Sequence, residues 1–216
     1  MNEVKDFKKN KELYAPKTEP STVEVPSMIF VAIQGKGNPN EADGEYQRAI
    51  PVLYGLQYTI KMCKKGAFIP KGYYDYVVPP LEGLWWLNKG TTSGGEDEWQ
   101  KDKSKFNWIS MIRLPEYVND DVFRWACEEV SKKKKIGTEK AYLFRYNEGL
   151  CVQCMHIGVY DDEPKTLARM DDFMMQNNLS NDISETRRHH EIYLSDPRKV
   201  SPEKMKTILR IPVVKL

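Results

Sequence analysis

The chain of 216 residues contains no run of eighteen apolar residues, so the sequence offers no helix able to span a membrane. It has little excess charge. A net +2 gives no global electrostatic case for a nucleic-acid partner. The local run Lys132 to Lys135 falls at the end of a predicted helix, where cations complement the macrodipole. The opening residues, MNEVKDFKKNKELYAP, lack the apolar centre of a signal peptide, so a cytoplasmic protein is expected. Its 4 cysteines are then expected to be thiols. Histidine is also scarce, at 3 residues, and no G-x-S-x-G occurs, which leaves a serine or cysteine triad without a local signature. The stretch CVQCMH brings Cys151, Cys154 and His156 close in sequence, but it reads as strand. The two cysteines then point to opposite faces, and no second cluster lies near to complete a four-ligand site. No metal and no other cofactor is expected.

What the chain does have is an ordinary globular composition, 40% hydrophobic and 30% charged, with aromatics at 11%. Residues 1 to 20 read as a polar leader containing Pro16 and Pro20. TVEVPSMIFVAIQGKG follows as strand, ending at Gly35 and Gly37. Tyr46, Ile50, Leu53, Ile60 and Cys63 recur at helical spacing, with Pro51 expected early in the helix or at a kink and Gly66 as the stop. YYDYVVPPLEGLWWLN returns to strand character around Pro79 and Pro80, and KGTTSGGEDEWQKDKSK is a long polar loop. NWISMIRLP is another strand. NDDVFRWACEEVSKKKK is a helix with Asn119 as cap. After Gly137 the pattern restarts: strand to Tyr160, a helix with Pro164 in its first turn, then two closing strands.

The order strand, helix, strand, strand therefore occurs twice, and SMIRLP at 110 to 115 echoes TILRIP at 207 to 212. The predicted fold is α+β: a duplicated module with pseudo-twofold symmetry, joined into an antiparallel sheet. Helices are expected on one face and a ligand cleft on the other. Module one covers about 21–115, a linking helix about 119–135 and module two about 138–216, all within one domain from 21 to 216.

RRHHEIYLSDP, starting at Arg187, locates the candidate site. On a strand, His190, Ile192 and Leu194 share one face, which looks like core, and His189, Glu191 and Tyr193 share the other. Glu82, in PLEGLWWL, occupies the matching place in module one, so both glutamates are expected to flank the cleft. Trp85 and Trp86 point to opposite faces, and parity with Glu82 selects Trp86 as the one that meets a ligand. The plain alternative for Glu191 is a surface carboxylate paired with Arg187 or Arg210. For Glu82 it is a bend at Gly83.

Three stretches, FVAIQGKGNPN, VVPPLEGLWW and HHEIYLSDPRKVSPEKMKTILRIPV, resemble the GyrI-like small-molecule-binding domains over about residue 17 to the end. The resemblance implies a duplicated strand-helix-strand-strand fold. It also implies that Glu191 occupies the position which, in drug-sensing members, lies at the base of a cleft for flat aromatic ligands. The short leader leaves no room for a DNA-reading helix-turn-helix, so the chain resembles the stand-alone type. Some members of that type hydrolyse cyclopropane-bearing, DNA-alkylating compounds. On that reading Glu191 is a general base on water, and Tyr193 or Tyr146 stabilises the developing oxyanion. Glu82, Trp85, Trp86 and His189 complete the candidate ligand contacts. The expected partner is a small aromatic molecule, and nothing indicates a protein, nucleic acid or membrane. A non-catalytic binding or sensing module and a protein-interaction module are the competing readings.

Overall fold

A computed structural model describes residues 4–66, 68–87 and 102–216. Most of the expected polar loop, residues 89–101, lies outside the described residues. In chain order the elements are α1 (Lys11–Tyr14), β1 (Ser21–Val25), β2 (Met28–Lys36), α2 (Glu45–Lys61), β3 (Leu81–Leu87) and β4 (Phe106–Arg113). There follow α3 (Asp120–Lys134), β5 (Ala141–Tyr146), β6 (Gly149–Ile157), α4 (Glu163–Gln176), β7 (Leu179–Asn181), β8 (His189–Tyr193) and β9 (Lys206–Lys215). Local chemistry sets the boundaries. Asn119 Oδ1 accepts from the Val122 amide at 3.0 Å and caps α3. Lys135 adopts a left-handed φ of 54° just past its end. Pro164 stands in the first turn of α4. Pro51 lies inside α2, exposed, so its ring does not disturb the buried stripe of Ala49, Leu53, Leu56 and Ile60. β3 begins directly after Pro79 and Pro80, neither of which can donate to a ladder.

The sheet is antiparallel in the order β1-β6-β9-β8-β3-β4-β2-β5, with β7 added alongside β9. The two modules appear as β3-β4-β2 with α2, and β8-β9-β6 with α4, and they meet where β3 pairs with β8. Pro26 and Ser27 alone connect β1 to β2, yet five strands lie between them in the sheet. A flat sheet would separate those two strands by roughly 29 Å. The link reaches at most about 11 Å. Asn147 and Glu148 impose the same limit on β5 and β6. The sheet must therefore curl until its two ends approach.

Curling gives the two faces different fates. The concave interior gathers Val23, Val25, Met28, Phe30, Leu84, Met111, Cys151, Ile192 and Ile208. Strand alternation sends Val31, Ile33, Trp85, Trp108 and Ile112 outward under α2 and α3, and Val152, Cys154, Leu209 and Ile211 outward under α4. Cys151 and Cys154 accordingly lie in different cores. The leader packs into the interior: Phe7, Leu13 and Tyr14 are each no more than 4% exposed. Lys17 O also accepts from the Met155 amide at 2.8 Å. The three long helices α2, α3 and α4 do share one face, but the opposite face is filled rather than open, because the curl closes it and the leader, with α1, plugs it. Phe7→Ala removes a ring from that packed interior and is expected to destabilise the fold by about 3–5 kcal/mol in urea unfolding.

Candidate functional site

The cleft opens on the convex face, between α2 and α4, over the central pair β3 and β8. Its volume is about 1310 Å³, and Tyr46, Tyr54, Trp85, Phe106, Tyr160 and Glu163 are among its walls. The register of β3 with β8 explains which side chains reach it. Gly83 faces Glu191, Trp85 faces His189 and Leu81 faces Tyr193. Directly opposed residues of an antiparallel pair share a face, so all six belong to the cleft side.

At the floor, the Trp85 indole N–H donates to Tyr193 Oη at 2.9 Å, and the Tyr193 hydroxyl donates to Glu191 Oε2 at 2.7 Å. His189 Nε2 lies 3.3 Å from Glu191 Oε1. The Tyr46 ring leans on Trp85 at 5.4 Å between centroids, Phe106 meets the same indole at 5.7 Å, and Tyr160 packs edge-on against Tyr193 at 5.8 Å. Burial, then the charge of Glu191, pushes the Tyr193 and Tyr46 phenols well up, so both remain protonated donors. The same two causes, joined by Glu163, push Tyr160 up to about 12. Gly83 is required for this arrangement. A Cβ there would sit 2.6 Å from Trp85 Nε1 and 3.1 Å from Tyr193 Oη.

A second carboxyl enters from α4. Glu163 is 8% exposed and lines the cleft, and its Oε1 has no hydrogen-bond partner. Burial raises its pKa well above the usual carboxylate value, the charges of Glu191 and Asp161 add to the effect, and Lys103 opposes it. The cleft thus holds two glutamates with different surroundings: one engaged by a phenol and an imidazole, the other favoured in its neutral acid form.

The remaining sequence candidates sit elsewhere. Glu82 pairs with Ile192 and turns to the concave interior, because it stands one residue before Gly83 on β3. Trp86 shares that side and lies beneath the Arg188 guanidinium, 4.7 Å from the ring centroid. Parity with Glu82 is kept, but it leads away from the cleft, and Trp85 is the tryptophan beside Glu191. Tyr146 is interior as well, with its ring 6.4 Å from that of His190. It does not meet Glu191. The arginines considered as surface partners of Glu191 are occupied. Arg187 donates to Glu148 O at 2.7 Å and Leu150 O at 2.6 Å and pairs with Asp182. Arg210 is buried beside Glu148.

Glu82 instead joins a fully buried quartet. His190 Nε2 lies 3.0 Å from Glu82 Oε2, His190 Nδ1 lies 2.9 Å from Glu148 Oε1, and Arg210 Nη1 lies 3.6 Å from Glu148 Oε2. Tyr14 of the leader donates to Glu82 Oε1 at 3.3 Å. Burial pulls the His190 imidazole down, but Glu148 and Glu82 outweigh it and raise the value to about 9. Burial works against the Glu148 carboxylate too, and His190 and Arg210 overcome it and hold the group below its usual range.

Residues 18–214 match the GyrI-like small molecule binding domain. The chain belongs to that family. A Listeria innocua protein described as a hydrolase is 46% identical, with a TM-score of 0.87, over 98% of this chain and 100% of that one. An uncharacterized conserved protein from Listeria innocua is 47% identical, with a TM-score of 0.88 over the same shares. The EcmrR C-terminal domain, at 12% identity and a TM-score of 0.52 over 92% of this chain and 98% of that one, shares the fold. No curated protein matches the chain. Among the described residues, no helix is long and apolar enough to cross a membrane.

Two outcomes follow from this geometry. Gly83→Ala is expected to displace Trp85 or Tyr193 and to weaken binding of a flat aromatic probe at least about tenfold by fluorescence titration, an effect of roughly 1.4 kcal/mol. His190 has a folded pKa above its unfolded one. Its contribution to stability is complete below about pH 6.5 and is lost as pH rises through about 9. Thermal melts between pH 6 and 10 should show a decline that His190→Gln flattens.

Proposed function

We propose that this chain takes flat aromatic or amphipathic compounds into the convex cleft and hydrolyses cyclopropane-bearing ones by adding water. The observation that carries the reading is the pairing, in one aromatic cleft, of a hydrogen-bonded glutamate with a neutral one. Glu191 is the general base and Glu163 the acid, with Tyr193 orienting the base. Aromatic faces of Trp85, Tyr46 and Phe106 stack on the flat body of the ligand.

The reaction balances with water as the only co-reactant. Glu191 takes a proton from water as its oxygen attacks the cyclopropane methylene. The strained C–C bond breaks, and its electron pair moves through the fused dienone to the carbonyl oxygen. Glu163, held protonated, donates to that oxygen and leaves a phenol. Ring strain supplies driving force. The buried, largely apolar floor of the cleft strengthens both hydrogen bonds to the reacting atoms. The description of a 46% identical relative as a hydrolase supports an enzymatic role for the site.

The second reading is binding without chemistry, favoured by the resting hydrogen bond from Tyr193 that already occupies one oxygen of Glu191. Incubation with an N-acyl cyclopropapyrroloindolone, followed by liquid chromatography and mass spectrometry, separates the two. Multiple-turnover addition of one water is expected, reduced about 10²–10⁴-fold in Glu191→Gln and likewise in Glu163→Gln. Intact compound retained by wild type and both variants would establish the binding module instead. An acid role for Glu163 also requires that turnover fall once pH exceeds its raised pKa, a limb that Glu163→Gln would lack.

A further inference from the structure

The four charged side chains of the interior quartet take no part in the cleft chemistry, yet each is no more than 1% exposed. Burying an ion pair is a weak source of stability, so its presence asks for another reason. β8 supplies one. Its sequence, His189-His190-Glu191-Ile192-Tyr193, carries polar groups on both faces, and Ile192 is its only aliphatic residue. Hydrophobic alternation alone therefore specifies its register poorly. A slip of one residue exchanges the two faces of a strand.

We infer that the quartet is a register lock: Glu82, Glu148 and Arg210, through His190, position Glu191 in the cleft by making a one-residue slip of β8 unfavourable. In the observed register, two carboxylates face one imidazole and one guanidinium, and the charges balance. After a slip, Glu191 would enter the sealed interior beside Glu82 and Glu148, and His190 would leave it. His189, on the same face as Glu191, would enter with it, so three carboxylates would face one imidazole and one guanidinium, and the charges would no longer balance. The lock spans both modules, because Glu82 comes from β3 and the other three from module two. The leader completes it. Tyr14 donates to Glu82, Arg210 reaches Leu13 O, and Gln153, which accepts from Arg210 at 3.0 Å, donates to Glu12 O at 2.7 Å. The same register places Gly83 opposite Glu191 and so brings Trp85 to Tyr193. These are positioning residues, not catalytic ones.

The lock rests on the proposed hydrolysis only for its kinetic readout, so two measurements are made together. One is kcat and KM per folded molecule on the N-acyl cyclopropapyrroloindolone. The other is the indole N–H resonance of Trp85 in ¹⁵N-labelled protein, assigned with Trp85→Phe. His190→Gln and Glu82→Gln are expected to lower kcat about 10²-fold with KM little changed, and to move or split the Trp85 resonance. Tyr14→Phe, which removes a single hydroxyl, should lower kcat about fivefold and shift the same resonance. Unchanged kcat and an unmoved resonance, with only the melting temperature lowered, would overturn the lock and leave the quartet as packing. If the buried variants fail to fold, Tyr14→Phe decides by the same readouts. If wild type turns over no substrate, hydrolysis fails as a proposal, and the resonance alone decides the lock.

Discussion

Two short links govern this structure. Pro26 and Ser27 join strands that the sheet order holds five strands apart, and Asn147 and Glu148 do the same at the other end. Neither link can bridge a flat sheet, so the sheet curls, and curling makes its two faces unequal. The concave face becomes a closed interior that only a slender segment can fill, and the leader fills it with Phe7, Leu13 and Tyr14. The convex face is too splayed for three helices to cover completely. Between α2 and α4 the central strands remain accessible, and the cleft lies there.

The consequences meet on β8. Alternate residues of one short strand serve two environments with opposite requirements. His190 is sealed among carboxylates, where its proton completes the charge balance. One position along, Glu191 faces aromatic rings, a phenol donor and an imidazole. Glycine at position 83 lets Trp85 and Tyr193 close over it, since any side chain would occupy the space of their hydrogen bond. Glu163 arrives from the first turn of α4, in the same module as β8, and is kept neutral by burial and by the carboxylate it faces. A cleft between two halves of a duplicated module allows this, because each half contributes one carboxyl-bearing or aromatic wall to a common floor.

Much of this was legible in the residues. Hydrophobic period and caps located α2, α3 and α4, and the echo of SMIRLP in TILRIP disclosed the duplication. Alternation on RRHHEIYLSDP separated His190 from Glu191 and grouped Glu191 with Tyr193 and His189. Other features needed long-range pairing. Which face of β3 belongs with Glu191 depends on the register of β3 against β8, and that register places Trp85, not Trp86, beside the glutamate and sends Glu82 and Tyr146 to the interior. Glu163 carried no signal beyond its place near Pro164, because its neutral form depends on neighbours far away in sequence. The leader read as polar because its few apolar residues are spaced for a strap rather than for a helix.

The sequence by itself determined the local elements, the twofold repetition, the family and the division of β8 into two faces, all of which are set by neighbours within a few residues. Only the tertiary structure decided which face is a cleft. That choice follows from how far a two-residue link can stretch across a pleated sheet, a global closure condition that no window of the sequence contains.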